Sequence, residues 1–270
     1  MIWDEGDVFL DGVKIHYYRR GSGHPLVLAH GASDNGLCWT RVAAVLVRDH
    51  DVIAYDARFH GLSDGPENVQ GGGGPDLVGL VEKLGLDRPA IMGHSMGAGS
   101  VAAAAAERPD LFRCAILEDP AWRMPADASV APQSSPERPQ MPDYRSMTIE
   151  EIMAAGRQRN PMWHEDEFRP WALSKKQFRR RNLEIMPGAA SPGAWRQIIQ
   201  KITCPILLVT GGNRERGAIV TPEAAEEVRR LCPTLEVVRF ERAGHNIRRE
   251  AFQEFVAAVT AFLAAYQVAS

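Results

Sequence analysis

A serine lies at the centre of Gly93-His-Ser-Met-Gly97, a segment with the pattern Gly-x-Ser-x-Gly. The short apolar segment before it predicts a strand over 89–92, and the small residues after it predict a helix over 98–107. A strand that turns sharply into a helix holds the central side chain in a strained, exposed position, and flanking glycines allow the close approach. The free N–H groups at the helix start also favour negative charge above the turn. We therefore predict that Ser95 is a nucleophile.

A serine hydroxyl becomes a good nucleophile only when a general base accepts its proton, and histidine is the usual base near neutral pH. Of the eight histidines, His245 follows the flexible Gly244 in a loop between a predicted strand and the last predicted helix. His94 and His60 are expected to pack within their loops instead. The sequence thus favours His245 as the base.

The tetrahedral intermediate of acyl transfer carries an oxyanion that needs two backbone donors. The N–H of Met96, directly after the serine, is one expected donor. The other is the N–H of Ala32, because Gly31 lets the loop after an early predicted strand bend inward. Loss of one such donor typically costs about 2.7–4 kcal/mol of transition-state stabilisation.

Length, composition and charge limit the classes of protein to which the chain can belong. The chain has 270 residues, 45% of them hydrophobic, which is enough for one large domain or a domain with an insertion. A net charge of −3 gives no reason to expect a nucleic-acid or anionic membrane partner. No apolar run approaches the ~18 residues of a membrane span, and the acidic first residues do not resemble a signal peptide, so we expect a cytoplasmic protein. The four cysteines lack metal-binding spacing and are expected to be reduced.

Predicted strands and helices alternate along most of the chain, which indicates a parallel sheet with helices on both faces. The predicted elements are a hairpin over 7–18, strands at 25–29, 51–55, 89–92, 114–117, 205–210 and 235–240, and helices at 39–46, 75–84, 98–107, 222–231 and 249–266. A proline-rich segment over 121–145 and predicted helices over 148–159 and 172–186 interrupt this alternation. We therefore expect a helical insertion in a sheet domain.

Four segments occur in the order seen in α/β-hydrolases, and the resemblance covers nearly the whole chain. They are His30-Gly31, Asp56-Ala-Arg-Phe-His-Gly-Leu-Ser-Asp64, Gly93-His-Ser-Met-Gly97 and Ala243-Gly-His245. The resemblance implies an α/β-hydrolase fold with a mostly parallel, eight-stranded sheet, a core domain of residues 1–120 and 199–270, and a helical cap of residues 121–198. It also implies a Ser–acid–His triad in which Ser95 and His245 match their motifs.

The sequence departs from the family pattern at the acid. Most relatives carry aspartate in the loop after the strand predicted here at 205–210, but Asn213 stands where that aspartate is expected. An amide does not stabilise an imidazolium as a carboxylate does.

Two other positions are open for the acid. Glu215 lies in the same loop, as in some lactonase relatives. Zearalenone-type lactonases and some haloalkane dehalogenases instead carry the acid after the strand predicted here at 114–117, about 24 residues beyond the nucleophile. Asp119 stands 24 residues after Ser95 and is favoured, with Glu118 as a further alternative.

The predicted cap is rich in large apolar side chains, which favours an apolar acyl or aryl pocket over the serine. They are Trp122, Met124, Met141, Tyr144, Met147, Met153, Met162, Trp163, Phe168, Trp171, Phe178 and Met186. We expect Trp122 and Trp163 to contact substrate. Arg58 and Asp34 are candidates for the entrance, but each is more often a residue that braces its loop.

A serine nucleophile, rather than an aspartate, argues against a dehalogenase or epoxide hydrolase within this family. The resemblance implies a hydrolase of carboxylic esters or lactones of small to medium apolar substrates. Such an enzyme needs no cofactor or metal, its partner is a small molecule, and it is expected to be a monomer or homodimer. A C–C bond hydrolase is one alternative. A non-catalytic ligand-binding or receptor protein is another, supported by the missing aspartate in the usual loop.

Overall fold

The computed structural model describes residues 1–65, 72–122, 142–179 and 193–266. The strands are β1 (Asp4–Leu10), β2 (Val13–Gly21), β3 (His24–Ala29), β4 (His50–Tyr55), β5 (Ala90–His94), β6 (Cys114–Glu118), β7 (Ile206–Gly211) and β8 (Leu235–Phe240). The helices are α1 (Thr40–Leu46), α2 (Gly74–Lys83), α3 (Met96–Glu107), α4 (Ile149–Arg159), α5 (Phe168–Gln177), α6 (Trp195–Ile199), α7 (Pro222–Leu231), α8 (Ile247–Glu250) and α9 (Phe252–Ala265).

The strands form one eight-stranded sheet in the order β1-β2-β4-β3-β5-β6-β7-β8. Strand β2 is antiparallel to both β1 and β4, and the remaining neighbours are parallel. The mostly parallel eight-stranded sheet predicted from the sequence is thus confirmed. Because parallel neighbours all end at the same edge, the loops after β3, β5, β6 and β7 meet there.

Helices cover both faces of the sheet. Every residue of β4, β5, β6 and β7 is buried, as expected for strands enclosed by two layers of helices. One apolar core packs α2, α3, α6 and α7 against one face. A second packs α1 and α9 against the other. The four cysteines are free and buried within the domain.

Residues 142–179, which include α4 and α5, form a helical unit in which the two helices pack on each other around a separate aromatic core. A capping box starts α4: Thr148 Oγ1 accepts the Glu151 N–H, and the Glu151 carboxylate accepts the Thr148 N–H at 2.7 Å. The segments 123–141 and 180–192, which hold part of the expected cap and its proline-rich entry, lie outside the described residues. The cap boundaries at 121 and 198 therefore stay a prediction.

Two predicted helices have different bounds. The last one, predicted as continuous over 249–266, is divided into α8 and α9, because Ala251 adopts a non-helical conformation with φ −130° and ψ 52°. The helix predicted over 172–186 begins earlier and ends earlier, since α5 spans Phe168–Gln177 and Phe178 is extended.

Candidate active site

Ser95 occupies the turn between β5 and α3 and has φ 53° and ψ −111°. This conformation is rare for a residue with a side chain and stores strain at the turn. A Cβ at Gly93 would overlap the carbonyl of Gly97, and a Cβ at Gly97 would overlap the carbonyl of Ala29, so both glycines are needed for the close approach. Ser95 N–H donates to the Glu118 carbonyl at 2.9 Å, which ties the turn to β6. The strand–turn–helix geometry expected around Ser95 is present.

His245 lies in the loop between β8 and α8, and its Nδ1–H donates to Asp119 Oδ2 at 2.6 Å. Asp119 follows β6 directly and its side chain is fully buried. The N–H groups of Ile219 and Val220 also donate to the Asp119 carboxylate, at 2.9 and 3.1 Å. Three donors thus stabilise the charge of a carboxylate that has no contact with water. The arrangement fixes which ring nitrogen of His245 carries the proton.

The two alternative acids lie elsewhere. Glu118 is buried on the other side of β6, where its carboxylate accepts the Arg248 N–H at 2.8 Å and Arg248 Nη1 at 3.0 Å. Burial raises the pKa of Glu118. Glu215 is exposed. Asn213 uses its side-chain oxygen to accept the Arg216 N–H at 3.1 Å. Of the three carboxylates considered from the sequence, the structure brings Asp119 to His245.

His94 connects the serine turn to the histidine loop. Its Nε2–H donates to the His245 carbonyl at 2.9 Å, and the two ring centroids lie 4.6 Å apart. Burial, followed by the charge of Arg248, holds the pKa of His94 well below its usual value, so the ring is neutral. The register pairs His94 with Glu118, which places Ser95 and Asp119 next to each other at the carboxyl edge.

The loop after β3 carries the expected oxyanion donor, Ala32, beside the start of α3. A Cβ at Gly31 would overlap the ring of His94, so glycine is required for the loop to lie against the serine turn. Ser33 has φ 62°, and its N–H donates to His60 Nε2 at 3.2 Å. Burial, followed by the nearby His30, lowers the pKa of His60 to about 3, so His60 is a neutral acceptor. Met96, the other expected donor, is the first residue of α3.

Arg58 and Asp34 brace their loops and do not line the entrance, which is the alternative that the sequence favoured. Arg58 is buried and forms a two-point ion pair with Asp76, with Nε–Oδ2 and Nη2–Oδ1 distances of 2.8 and 2.7 Å. Asp34 is buried between Lys175 and the α8 arginines. Buried charges require such partners, and these side chains are bound to theirs rather than open to substrate.

The two tryptophans expected to contact substrate are both packed against other side chains. Trp122 is 5% exposed and stacks on Trp195 with centroids 5.4 Å apart. Trp163 is 7% exposed and lies in the core of α4 and α5 against Phe168 and Trp171. The structure thus places Trp163 among the side chains that hold the helical unit together. Three of the expected pocket residues, Met124, Met141 and Met186, lie outside the described residues.

Comparison with known proteins identifies the family of the chain. The alpha/beta hydrolase family matches residues 26–258, and the chain belongs to that family. It is 30% identical to N-formylmaleamate deformylase of Pseudomonas putida, over 96% of each chain. It is 26% identical to 2-(acetamidomethylene)succinate hydrolase of Mesorhizobium japonicum, over 93% of this chain and 92% of the relative. The crystal structure of an esterase from Rhodococcus matches with a TM-score of 0.76 and 22% identity, covering 99% of this chain and all of that one.

The described part of the chain lacks clusters that could bind a metal ion and helices that could cross a membrane. Nowhere in it do three or more His, Cys, Asp or Glu side chains gather in a way that would hold a metal ion. Its helices are all too short or too polar to cross a membrane.

Proposed function

We propose that this chain is a serine hydrolase that cleaves carboxylic esters or lactones through a Ser95–His245–Asp119 triad. The observation that carries the proposal is the 2.6 Å contact between His245 Nδ1 and Asp119 Oδ2, at the sheet edge where the strained Ser95 turn lies. A buried carboxylate that accepts a hydrogen bond from Nδ1–H leaves Nε2 as the basic nitrogen of the imidazole and stabilises the imidazolium when it forms.

The chemistry has two halves. Ser95 Oγ attacks the substrate carbonyl carbon while His245 takes the hydroxyl proton, and the Ala32 and Met96 N–H groups donate to the oxyanion. The bond to the leaving oxygen then breaks, and His245 returns the proton to that oxygen. Water then attacks the acyl-enzyme while His245 takes a proton from it. The bond between the acyl carbon and Ser95 Oγ breaks, His245 returns the proton to Oγ, and the carboxylic acid leaves. The N-terminal end of α3, a helix of 12 residues, adds its positive dipole end beneath the oxyanion.

A small to medium apolar substrate is proposed from the cap sequence, which is rich in methionine and aromatic residues. Such side chains offer adaptable apolar contact area. The substrate is then a small molecule held between the cap and the carboxyl edge of the sheet, where ligands bind in open α/β sheets.

Hydrolysis of an N-acyl bond is a second candidate. Two relatives that match more than nine tenths of the chain are named for the deformylation of N-formylmaleamate and the hydrolysis of 2-(acetamidomethylene)succinate. The same triad serves this reaction, because His245 protonates a leaving nitrogen in place of a leaving oxygen. A non-catalytic role is disfavoured, since its support was the missing aspartate and Asp119 occupies the corresponding position at His245.

A fluorophosphonate probe, which reacts with activated serines, tests the nucleophile directly. The wild-type protein should be labelled and Ser95→Ala should not, with a loss of turnover of about 10⁶-fold in the variant. A panel of p-nitrophenyl esters of increasing chain length, lactones, and N-formyl and N-acetyl enamides then separates the two candidate functions by kcat/KM. Equal ester hydrolysis by Ser95→Ala and wild type would refute the assignment.

A further inference from the structure

Within the described ranges, six charged side chains form a network beneath the proposed site, and each is less than a tenth exposed. The members of this buried charge network are Asp34, Glu118, Glu167, Lys175, Arg248 and Arg249. The six comprise three carboxylates and three cations, and the partly exposed Arg41 also lies 4.0 Å from Glu167 Oε1. Such an arrangement meets the requirement that buried charges be paired.

Asp34 lies at the centre of the network. Its Oδ1 accepts from Lys175 Nζ at 2.9 Å, and its Oδ2 accepts from Arg248 Nη2 at 3.1 Å and Arg249 Nη2 at 3.0 Å. Burial opposes ionisation, but the charges of Arg249, Lys175 and Arg248 hold the pKa of Asp34 well below its usual value. Asp34 is therefore ionised and fixed from three directions.

The network joins three segments that carry proposed catalytic groups: the loop of Ala32, the end of β6 before Asp119, and the helix after His245. Asp34 belongs to the loop that holds Ala32, and Glu118 directly precedes Asp119. The two arginines belong to α8, which begins two residues after His245. Glu167 and Lys175 come from the helical unit of α4 and α5, and Glu167 accepts from Arg249 Nε at 3.2 Å. The helical unit is thereby bonded to the catalytic edge through buried charges.

Lys175 makes the contact that bears most directly on the oxyanion site. Its ammonium donates to the Ser33 carbonyl, to Ser33 Oγ and to Asp34 Oδ1, each at 2.9 Å. An ammonium has three donors, so its capacity is filled. Ser33 is the residue after Ala32 and is held at φ 62°, a conformation that costs free energy for a residue with a side chain. Lys175 thus stabilises the strained backbone next to the proposed donor.

A buried ion pair is not an efficient way to fill space, because apolar side chains of the same volume often give equal or greater stability. A filled ammonium does fix direction, since each of its bonds sets the position of one acceptor. Displacement of a reacting group by about 1 Å can cost on the order of 10²-fold in rate.

We infer that Lys175 is a positioning residue: the helical unit uses it to set the Ser33–Asp34 backbone, and so to aim the Ala32 N–H at the oxyanion. This inference rests on the proposed function. It assigns α5 a part in the chemical step in addition to any part in covering the substrate.

The test compares Lys175→Met with Lys175→Arg and with Lys176→Met. Lys176 is the next residue of α5, but its Nζ donates to the Arg145 and Met147 carbonyls within the helical unit, so it is the matched control. Lys175→Met should lower kcat by about 10²-fold with little change in KM, because the oxyanion forms only in the transition state. Lys175→Arg should recover part of the loss, and Lys176→Met should keep the wild-type kcat.

Ser33→Ala provides a variant that removes one acceptor and leaves the network charges intact. It should lower kcat in a protein that stays folded under assay conditions, although the unpaired ammonium donor should cost about 1–3 kcal/mol of stability in a urea titration. Wild-type kcat in Ser33→Ala, or equal losses in Lys175→Met and Lys176→Met, would overturn the inference. Failure of the proposed function gives a different result, since the wild-type protein itself would then resist the fluorophosphonate probe.

Discussion

The loops after β6 and β7 both contact His245, and they contribute different chemistry. The β6 loop supplies charge, through the buried carboxylate of Asp119 at 2.6 Å from the ring. The β7 loop supplies backbone groups: the Arg216 carbonyl accepts the His245 N–H at 3.2 Å, and Asn213 Oδ1 accepts the Arg216 N–H. The β6 loop therefore carries the carboxylate that contacts the His245 ring, and the β7 loop holds the backbone of His245 in place.

The order of the strands in the sheet explains why both loops reach His245. Strands β6 and β7 are parallel neighbours, with Glu118 beside Val209, so their following loops leave the sheet at the same edge. A carboxylate from either loop has access to the same histidine in principle. Here the β7 segment also donates the Ile219 and Val220 N–H groups to Asp119, so its backbone completes the environment of the acid that it does not carry.

The largest expected difference between the two loops is catalytic. Asp119→Asn should lower kcat by about 10⁴-fold, since an amide disfavours the correct tautomer of His245 and cannot stabilise its imidazolium. Steady-state kinetics on the best ester, with circular dichroism as a check of folding, measures this. The double variant Asp119→Asn/Asn213→Asp should stay at the low level, because side chain 213 is directed to the Arg216 N–H. Recovery of activity in the double variant would show that the loops are interchangeable.

A second prediction distinguishes the role of Glu118, the last residue of β6, from that of Asp119, the residue after it. Glu118→Gln should reduce the free energy of unfolding by about 3–5 kcal/mol, because it removes one of the two carboxylates that pair with the buried Arg248. Urea denaturation measures the change. A loss below 1 kcal/mol would show that Asp34 alone suffices to balance Arg248.

A third prediction concerns the backbone of the β7 loop. Gly217 has φ +87°, and a Cβ there would lie 3.7 Å from the Cβ of His245. Gly217→Ala should therefore cost about 1–2 kcal/mol of stability through backbone strain and also lower kcat. Gly12→Ala is the matched control, since Gly12 has φ +78° in the β1–β2 turn and no atom of the described residues lies within 4 Å of the added Cβ. A similar stability loss without a change in kcat is expected there, and equal kcat losses would contradict a local effect on His245.

The smallest effect is expected for the exposed carboxylate of the β7 loop. Glu215→Gln should change stability by no more than about 0.5 kcal/mol and leave kcat within about 2-fold, as for ordinary surface substitutions. A loss of several orders of magnitude in the same ester assay would move the acid from Asp119 to Glu215.

Local signals predicted the sheet and the serine turn well. The alternation of apolar strands and helices needs only neighbouring residues, and so does the Gly-x-Ser-x-Gly turn, whose glycines the structure explains by direct backbone overlap. The bounds of the last helix were predicted wrongly, because no glycine or proline marks the break at Ala251 in the sequence.

Side chains without a local signal were predicted less well. Composition cannot distinguish a tryptophan that lines a pocket from one that holds two helices together, and Trp163 does the latter. Arg58 and Asp34 brace their loops, the role that the sequence favoured, but their partners Asp76 and Lys175 lie 18 and 141 residues away and could not be predicted. Nothing near Lys175 marks it in the sequence either, and its contact with Asp34 spans 141 residues.

The sequence by itself determined the fold family, the serine turn and the histidine loop, because each depends on short segments whose residue types restrict the backbone. Only the tertiary structure decided which carboxylate meets His245 and which cation contacts Ser33 and Asp34. Asp119 and His245 are 126 residues apart, and their contact exists because β5, β6 and β7 end side by side. The order of the strands and the pairing of buried charges bring these groups together. Both depend on contacts between segments that are far apart in the sequence, so no single segment predicts them.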